Sequence, residues 1–108
     1  LPISGYSVCL MWILRTVDQP AETTYRILPG SVKTIGRATG ADFIVDEALV
    51  SRVHCRVVVN AAGDLDVTDL DSTNGTFVNG ARVTTARLVP GDRLKVGRVE
   101  LIALKDQD

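Results

Sequence analysis

The sequence predicts an all-β domain, a sandwich or barrel of about nine to eleven short strands. Three observations support this. Apolar or alternating runs of three to nine residues recur along the chain, and turn-forming residues separate them. No window of a dozen residues keeps apolar positions at the helical i, i+3, i+4 spacing. Short runs divided by Gly, Pro, Asn and Asp are typical of antiparallel sheets.

The predicted strands of the first half end at recognisable turns. Each is rich in β-branched, aromatic or other apolar residues, and Pro-Gly, Thr-Gly and Gly-Asp pairs separate several of them. In chain order, strands and turns are Cys9–Val17, Tyr25–Leu28, the turn Leu28–Gly30, Val32–Ile35, the turn Ala38–Gly40, Phe43–Val45, Val53–Val59 and the turn Asn60–Asp64.

The second half continues in the same way. Its strands and turns are Leu65–Thr68, the polar stretch Asp71–Gly80 with Thr76–Val78 inside it, the turn Val89–Asp92, Leu94–Val96 and Val99–Leu104. Because neighbouring side chains on a strand point to opposite faces, the fifth strand is expected to bury Val53, Cys55, Val57 and Val59 and to turn His54, Arg56 and Val58 the other way.

Length and charge limit the chain to one domain without a general affinity for polyanions. The chain has 108 residues, twelve basic and thirteen acidic, with a net charge of −1. Direct nucleic-acid binding and attraction to an anionic membrane therefore have no overall electrostatic basis, and any anion site must be local. The longest apolar run, Val8–Leu14, has seven residues, far short of the roughly 20 that span a bilayer.

The expected organisation is a single unit with short ends. Residues 1–10 are interpreted as an upstream extension or a cloning remnant, residues 11–105 as the domain, and residues 106–108 as a tail that frays. A module of this size is expected to be monomeric and to belong to a larger protein.

The cysteines indicate a reducing compartment. Cys9 and Cys55 lie in apolar strands without a paired or metal-like spacing, so both are expected to be buried free thiols. The expected location is intracellular, cytoplasmic or nuclear. His54 is the only histidine and precedes Cys55 on a predicted strand, so the two side chains diverge. We therefore expect neither a metal nor a cofactor.

The stretch Asp71–Gly80, DSTNGTFVNG, is unusually polar for this chain. It holds two Asn-Gly pairs, Asn74-Gly75 and Asn79-Gly80, and Asn-Gly is the strongest short signal for a tight turn. One pair is enough to close a hairpin, so the first loop is expected to have another duty.

Two further polar loops precede this stretch. They are Gly36-Arg37 at a strand end and the segment Ser51-Arg52-Val53-His54. The chain thus contains four motifs in a fixed order and with these intervals: GR, S-x-x-H, (S/T)-x-N-G-T and a second N-G. In this it resembles the forkhead-associated (FHA) domain, a phosphothreonine-binding module. The likeness runs from about Tyr25 to Leu104 and includes the closing segment Leu88–Gly97.

The resemblance implies an eleven-stranded β-sandwich whose loops at one end hold a phosphorylated peptide. Arg37, Ser51 and Arg52 would contact the phosphate, and Thr73 would add a polar contact. Asn74 would bond the main chain of the peptide, as suits an amide that both donates and accepts. The implied partner is a phosphothreonine-containing protein, bound by a signalling adaptor that is not an enzyme.

Other residues would shape the loops. The resemblance makes His54 a residue that holds the Ser51 and Thr73 loops together. Gly36 and Gly75 are expected to serve backbone geometry and close loop approach, and Asn79-Gly80 to turn the chain.

Peptide selectivity is less defined. Leu49 stands where some relatives carry an Arg that reads an acidic side chain three residues after the phosphothreonine. No acidic preference at that place follows, and an aliphatic one is a hypothesis.

Two alternatives remain open at this point. One is a module of the same fold that binds a partner through a sheet face, without phosphate. The other is a small hydrolase in which Ser51 and His54 act with Asp69 or Asp71, although no strained Gly-x-Ser-x-Gly elbow accompanies them.

A narrower likeness concerns the amino-terminal part. Met11–Leu14, Tyr25–Leu28 and Gly36-Arg37 resemble the start of nibrin-type DNA double-strand-break repair proteins, which would imply a role in the DNA-damage response. A bacterial signalling module and another eukaryotic scaffold are the competing interpretations.

Overall fold

A computed structural model of the chain describes residues 11–17, 19 and 22–106. These residues form eleven strands in two sheets, so the predicted all-β sandwich is confirmed. The strands are β1 Met11–Val17, β2 Thr24–Ile27, β3 Val32–Gly36, β4 Phe43–Ile44, β5 Cys55–Val59, β6 Leu65–Asp69, β7 Thr76–Val78, β8 Ala81–Val83, β9 Thr85–Leu88, β10 Arg93–Val96 and β11 Val99–Asp106.

The sheet order brings distant parts of the chain together. The six-stranded sheet runs β2-β1-β11-β10-β7-β8 and the five-stranded sheet β4-β3-β5-β6-β9. Strand β1 pairs antiparallel with β11 over its whole length, from Met11 opposite Asp106 to Val17 opposite Glu100. The short pair of β3 and β4 is parallel. Every loop of interest below leaves one end of this sandwich.

The core fills the space between the sheets with alternating apolar side chains. Trp12 is 2% exposed, and its indole N–H donates to the Gly63 carbonyl at 2.8 Å, which satisfies a buried donor. The other large buried side chains include Leu14, Ile27, Ile35, Val57, Val59, Leu65, Val67, Leu88, Leu94, Val96 and Leu101.

The face assignment on the predicted strand Val53–Val59 is right for five residues and wrong for two. Cys55, Val57 and Val59 are buried, whereas Arg56 is exposed and Val58 is half-buried. Val53 is 46% exposed, however, and His54 is fully buried. Strand pairing begins only at Cys55, opposite Ile35, so the period of two does not extend to the preceding loop.

Two short strands were not predicted. In β8, Ala81–Val83, two of three residues are exposed, and in β9, Thr85–Leu88, two of four are exposed and one is buried. Neither carries the apolar run by which the other strands are found. They form because the turn at Asn79-Gly80 folds β8 onto β7 and because β9 pairs along β6.

The Asn79-Gly80 turn has the geometry that its sequence favours. Asn79 has φ 51° and Gly80 φ 86°, and the two residues join Val78 to its partner Ala81, as in a two-residue hairpin with positive φ at both positions. The Asn79 side chain donates to the Asp92 carboxylate and accepts from the Arg93 N–H. This pair therefore ties one hairpin to the next turn, away from the Ser51 loop.

The ends and the cysteines are placed as follows. Strand β11 includes Asp106, which was assigned to the tail, because it pairs with Met11. Cys55 is a buried free thiol, and burial raises its pKa to about 12; Cys9 and the rest of residues 1–10 lie outside the described residues. The part of the chain that the structure describes has no helix long and apolar enough to cross a bilayer.

Candidate functional site

Three loops meet at one end of the sandwich: residues 37–42 after β3, 45–54 before β5, and 70–75 after β6. The first two are joined by backbone hydrogen bonds, from the Arg37 N–H to the Ser51 carbonyl at 2.9 Å and from the Ala38 N–H to the Arg52 carbonyl at 3.0 Å. This pairing brings together two sequence motifs, Gly36-Arg37 and Ser51-Arg52.

Gly36 permits this close approach. A Cβ atom at this position would overlap the Arg52 carbonyl oxygen and lie 2.8 Å from the carbonyl carbon. Backbone atoms cannot swing aside as a side chain can, so a residue with a side chain here would push the two loops apart. Gly75 is constrained in another way, by a φ of 90° that favours glycine.

His54 connects the second loop to the third. Its Nδ1 accepts from the Ser51 N–H at 3.0 Å, so the ring proton resides on Nε2, which lies 2.8 Å from the Gly75 carbonyl and donates to it. The ring is fully buried. Both nitrogens are therefore used in holding backbone groups of two loops, which leaves neither for a metal or for the Ser51 hydroxyl.

Asp69 organises the third loop from the end of β6. Its carboxylate accepts from the hydroxyls of Ser72 and Thr76 and from the Ser72 N–H, and the Ser72 hydroxyl in turn accepts from the Gly75 N–H. Partial burial raises the pKa of Asp69, but these hydrogen bonds outweigh it and hold the pKa below its usual value.

Replacing Asp69 with Asn should therefore remove one pH-dependent contribution to stability. A carboxylate whose pKa is lowered in the folded state stabilises it above the unfolded pKa of about 3.9, and that contribution is lost as pH falls through the lower folded value. Wild type is expected to exceed Asp69→Asn in unfolding free energy at pH 7 and to approach it below about pH 4. Urea titrations at several pH values measure this.

Asp71→Asn is the control for that experiment. Asp71 is exposed and has φ 56°, which Asn tolerates. If the Asp69→Asn deficit is independent of pH, the carboxylate charge does not support the loop.

The outer surface of the loops carries two arginines. Arg37 donates through Nε to the Val50 carbonyl at 3.0 Å, which fixes the guanidinium of a residue that is exposed as a whole. Arg37 and Arg52 line one open pocket of about 330 Å³ together with Ala38 and Thr39. The chain is weakly acidic overall, so this is a local concentration of positive charge.

Hydroxyl and amide groups adjoin the pocket. Ser51 Oγ accepts from the Thr73 N–H at 2.9 Å, which leaves the Ser51 O–H proton to donate outward. Asn74 donates through Nδ2 to the Leu49 carbonyl at 2.9 Å. That bond holds the amide in place and uses none of the acceptor capacity of its Oδ1. Thr73 and Asn74 are exposed, and Leu49 is 37% exposed.

Five residues predicted as a binding site thus lie on three linked loops. They are Arg37, Ser51, Arg52, Thr73 and Asn74. Their role toward a ligand stays a prediction. Three residues predicted to shape the loops, Gly36, His54 and Gly75, lie between or beneath the loops, whereas Asn79 and Gly80 lie in the β7–β8 turn.

Sequence reasoning missed two residues at this end. Arg82 lies against the third loop, with Nε 2.8 Å and Cζ 3.1 Å from a Cβ built on Gly75. The signal that could have identified Arg82 is the strand register across the Asn79-Gly80 hairpin. This register puts Arg82 opposite Phe77. The Glu47 carboxylate accepts hydrogen bonds from the Leu49 N–H at 3.0 Å and from the Arg98 N–H at 2.7 Å. The bond to Arg98 is long-range, and no sequence pattern indicates it.

Comparisons with known proteins agree with this architecture. The protein-family model of the FHA domain matches residues 33–97 of the chain. The ABC transporter ATP-binding/permease protein Rv1747 of Mycobacterium tuberculosis is 42% identical over 93 residues, which are 86% of this chain and 10% of that protein. The chain spans between about a tenth and about half of the curated relatives that it matches.

Two solved structures share the fold and part of the sequence. One, from a structural and functional analysis of phosphothreonine-dependent FHA domain interactions, has a TM-score of 0.77 and 32% identity, covering 89% of this chain and 95% of that chain. The other is the FhaA FHA domain complexed with the intracellular domain of Rv3910, with a TM-score of 0.75, 34% identity and coverage of 90% and 99%. The loop motifs, the two-sheet topology and the family match lead to one conclusion: the chain belongs to the FHA domain family.

Proposed function

We propose that this chain is a phosphothreonine-binding adaptor domain that recognises phosphorylated partner proteins through its three linked loops. The observation that carries the proposal is the placement of Arg37 and Arg52 around one open pocket, beside the Ser51 loop, on a framework tied by internal hydrogen bonds. A related FHA structure concerns phosphothreonine-dependent interactions, and another FHA domain is complexed with a partner's intracellular domain.

The chemistry of the loops suits a phosphate monoester. Such a group carries about −1.5 to −2 charges at pH 7 and three strong acceptor oxygens. Arg37 offers a planar fork already oriented by Val50, a geometry that matches phosphate. Arg52 adds a second cation, and Ser51 a hydroxyl donor. Thr73 completes the polar rim.

Asn74 would hold the peptide rather than the phosphate. Its Nδ2 bond to the Leu49 carbonyl fixes the side chain, and the amide can then exchange hydrogen bonds with the main chain of an extended peptide. The first Asn-Gly pair would thus grip the ligand, whereas Asn79-Gly80 turns the chain.

The proposed role is binding without catalysis. A Ser51–His54 nucleophile pair would need His54 to accept from the Ser51 hydroxyl, but Nδ1 accepts from the Ser51 N–H and Nε2 donates to Gly75. Asp69 is occupied by Ser72 and Thr76. A general base for Ser51 is therefore missing from the described neighbours. The nibrin-type likeness and a DNA-damage role stay predictions.

The test is a titration of the domain with a degenerate phosphothreonine peptide library and its unphosphorylated twin. The titration is done at a fixed ionic strength because charge contacts are screened by salt. Binding that requires the phosphate supports the proposal. Equal binding of both libraries would instead favour a partner site on a sheet face. Failure of both to bind contradicts the proposed function.

Phosphothreonine should bind better than phosphoserine. The FHA family has a small pocket for the threonine methyl, and burial of one such group is worth about 0.8 kcal/mol, or roughly fourfold in affinity. Matched peptides that differ only in this methyl, titrated by fluorescence anisotropy, measure the preference. Equal dissociation constants would refute it.

A further inference from the structure

A second pocket lies at the same end of the sandwich, on the six-stranded sheet. Its volume is about 230 Å³, and its lining is Val17, Gln19, Lys95, Arg98 and Glu100. In the sheet, Val17 pairs with Glu100 and Glu100 with Lys95. Arg98 lies in the turn between β10 and β11.

The lining of the pocket has more positive than negative charge. Glu100, its acidic residue, accepts from Arg93 Nη1 at 3.0 Å, so that part of its charge is offset by an arginine outside the lining. Lys95 and Arg98 are exposed, and within residues 11–17, 19 and 22–106 the ion pairs involve other basic residues, namely Arg15, Arg87 and Arg93. Two cations therefore face a concave polar surface in a chain of net charge −1.

The turn that bears Arg98 is joined to the proposed phosphate-binding loop. The Arg98 N–H donates to Glu47 Oε1 at 2.7 Å, and Glu47 Oε2 accepts from the Leu49 N–H at 3.0 Å. A Cβ built on Gly97 would lie 3.1 Å from the Leu49 carbonyl carbon. The backbone of this turn thus contacts the loop two residues before Ser51.

The contact limits the distance between the two sites. From Ser51 through Leu49 and Gly97 to Arg98, the path is at most about 17 Å between Cα atoms, given the reach of the backbone and the close contact at Gly97. An extended peptide advances about 3.4 Å per residue. A group within about five residues of a phosphothreonine bound at Ser51 can therefore reach Lys95 and Arg98.

We propose that Lys95 and Arg98 form a second anion subsite, which takes an acidic or phosphorylated side chain of the same peptide. The inference rests on the proposed function, since the first site must hold the phosphothreonine. The subsite would make partners with a negative charge flanking the phosphothreonine bind more tightly than those with neutral flanks.

The test is a scan of phosphothreonine peptides in which Glu, Gln or phosphoserine occupies each of the first five positions on either side. For wild type, Glu is expected to exceed Gln by roughly threefold to tenfold at one or two of these positions on one side, and by less at high salt. A larger gain for phosphoserine than for Glu identifies a second phosphate as the preferred group. An equal gain identifies a carboxylate as sufficient.

Lys95→Gln and Arg98→Gln provide the decisive comparison. Both remove the charge and keep a polar, shorter side chain, and Arg98→Gln keeps the backbone N–H that donates to Glu47. Each is expected to bring the Glu-to-Gln ratio close to one while leaving the affinity for the Gln peptide unchanged. Arg26→Gln removes an equal charge from β2, opposite Ile13 and away from the loops, and should keep the wild-type ratio.

The outcomes separate the two proposals. Phosphate-dependent binding with the same Glu-to-Gln ratio in wild type, Lys95→Gln and Arg98→Gln overturns the second subsite and leaves the first intact. A loss of affinity for the Gln peptide in Arg98→Gln also overturns it, since Arg98 would then serve the first site. Binding without dependence on the phosphothreonine overturns the proposed function and this inference together.

Discussion

Arg37→Ala is expected to weaken binding of a phosphothreonine peptide at least about tenfold while the domain remains folded. A hydrogen bond to a charged group is worth roughly 1.5–3 kcal/mol, and about 1.4 kcal/mol is tenfold in affinity. The guanidinium also donates to Val50, so a stability loss of about 1 kcal/mol should accompany the change. Isothermal titration with one phosphopeptide, together with a thermal melt, measures both effects.

Two further variants sharpen the interpretation. Arg37→Lys keeps the charge but loses the planar fork, so its affinity should lie between those of wild type and Arg37→Ala. Arg26→Ala removes a cation from β2 and should bind as wild type does. An unchanged dissociation constant for Arg37→Ala would remove Arg37 from the site.

His54→Ala is expected to cost about 3–5 kcal/mol of folding free energy, which is exceptional for a single substitution. The ring is fully buried and satisfies the Ser51 N–H and the Gly75 carbonyl. Its removal leaves a cavity and two unpaired polar groups, each of which costs about 1–3 kcal/mol. Urea unfolding followed by tryptophan fluorescence measures the loss, because Trp12 is the single tryptophan and is buried.

Graded replacements test the mechanism at His54. Asn can place its carbonyl oxygen near the position of Nδ1 and accept from Ser51, but it is too short to reach Gly75, so His54→Asn should fall between wild type and His54→Ala. Val53→Ala alters the neighbouring exposed side chain and should change stability by less than about 0.5 kcal/mol. A loss below about 1 kcal/mol for His54→Ala would contradict the role of the ring as a link between loops.

Local sequence predicts the strands where apolar alternation is strong. All nine predicted runs overlap observed strands, and β7 has the predicted bounds. Strands β8 and β9 escaped because most of their side chains are exposed. Leu70, Phe77 and Val78 are apolar but only half-buried, since residues near the sandwich end and along β7 lie at its margin. Alternation indicates a strand but not how completely a neighbouring layer covers it.

For the candidate site, what could be predicted from the sequence depends on how far apart in the chain the interacting residues lie. The sequence by itself determined the turn at Asn79-Gly80, because turn chemistry is local. Its motifs indicated the family, and the resemblance to that family implied the five residues proposed to bind. Only the tertiary structure decided that His54 is buried with both nitrogens engaged, that Glu47 holds Leu49 and Arg98, and that Arg82 lies beside Gly75. These contacts join residues up to 51 positions apart. They depend on how the two sheets bring their loops together, which no local pattern records.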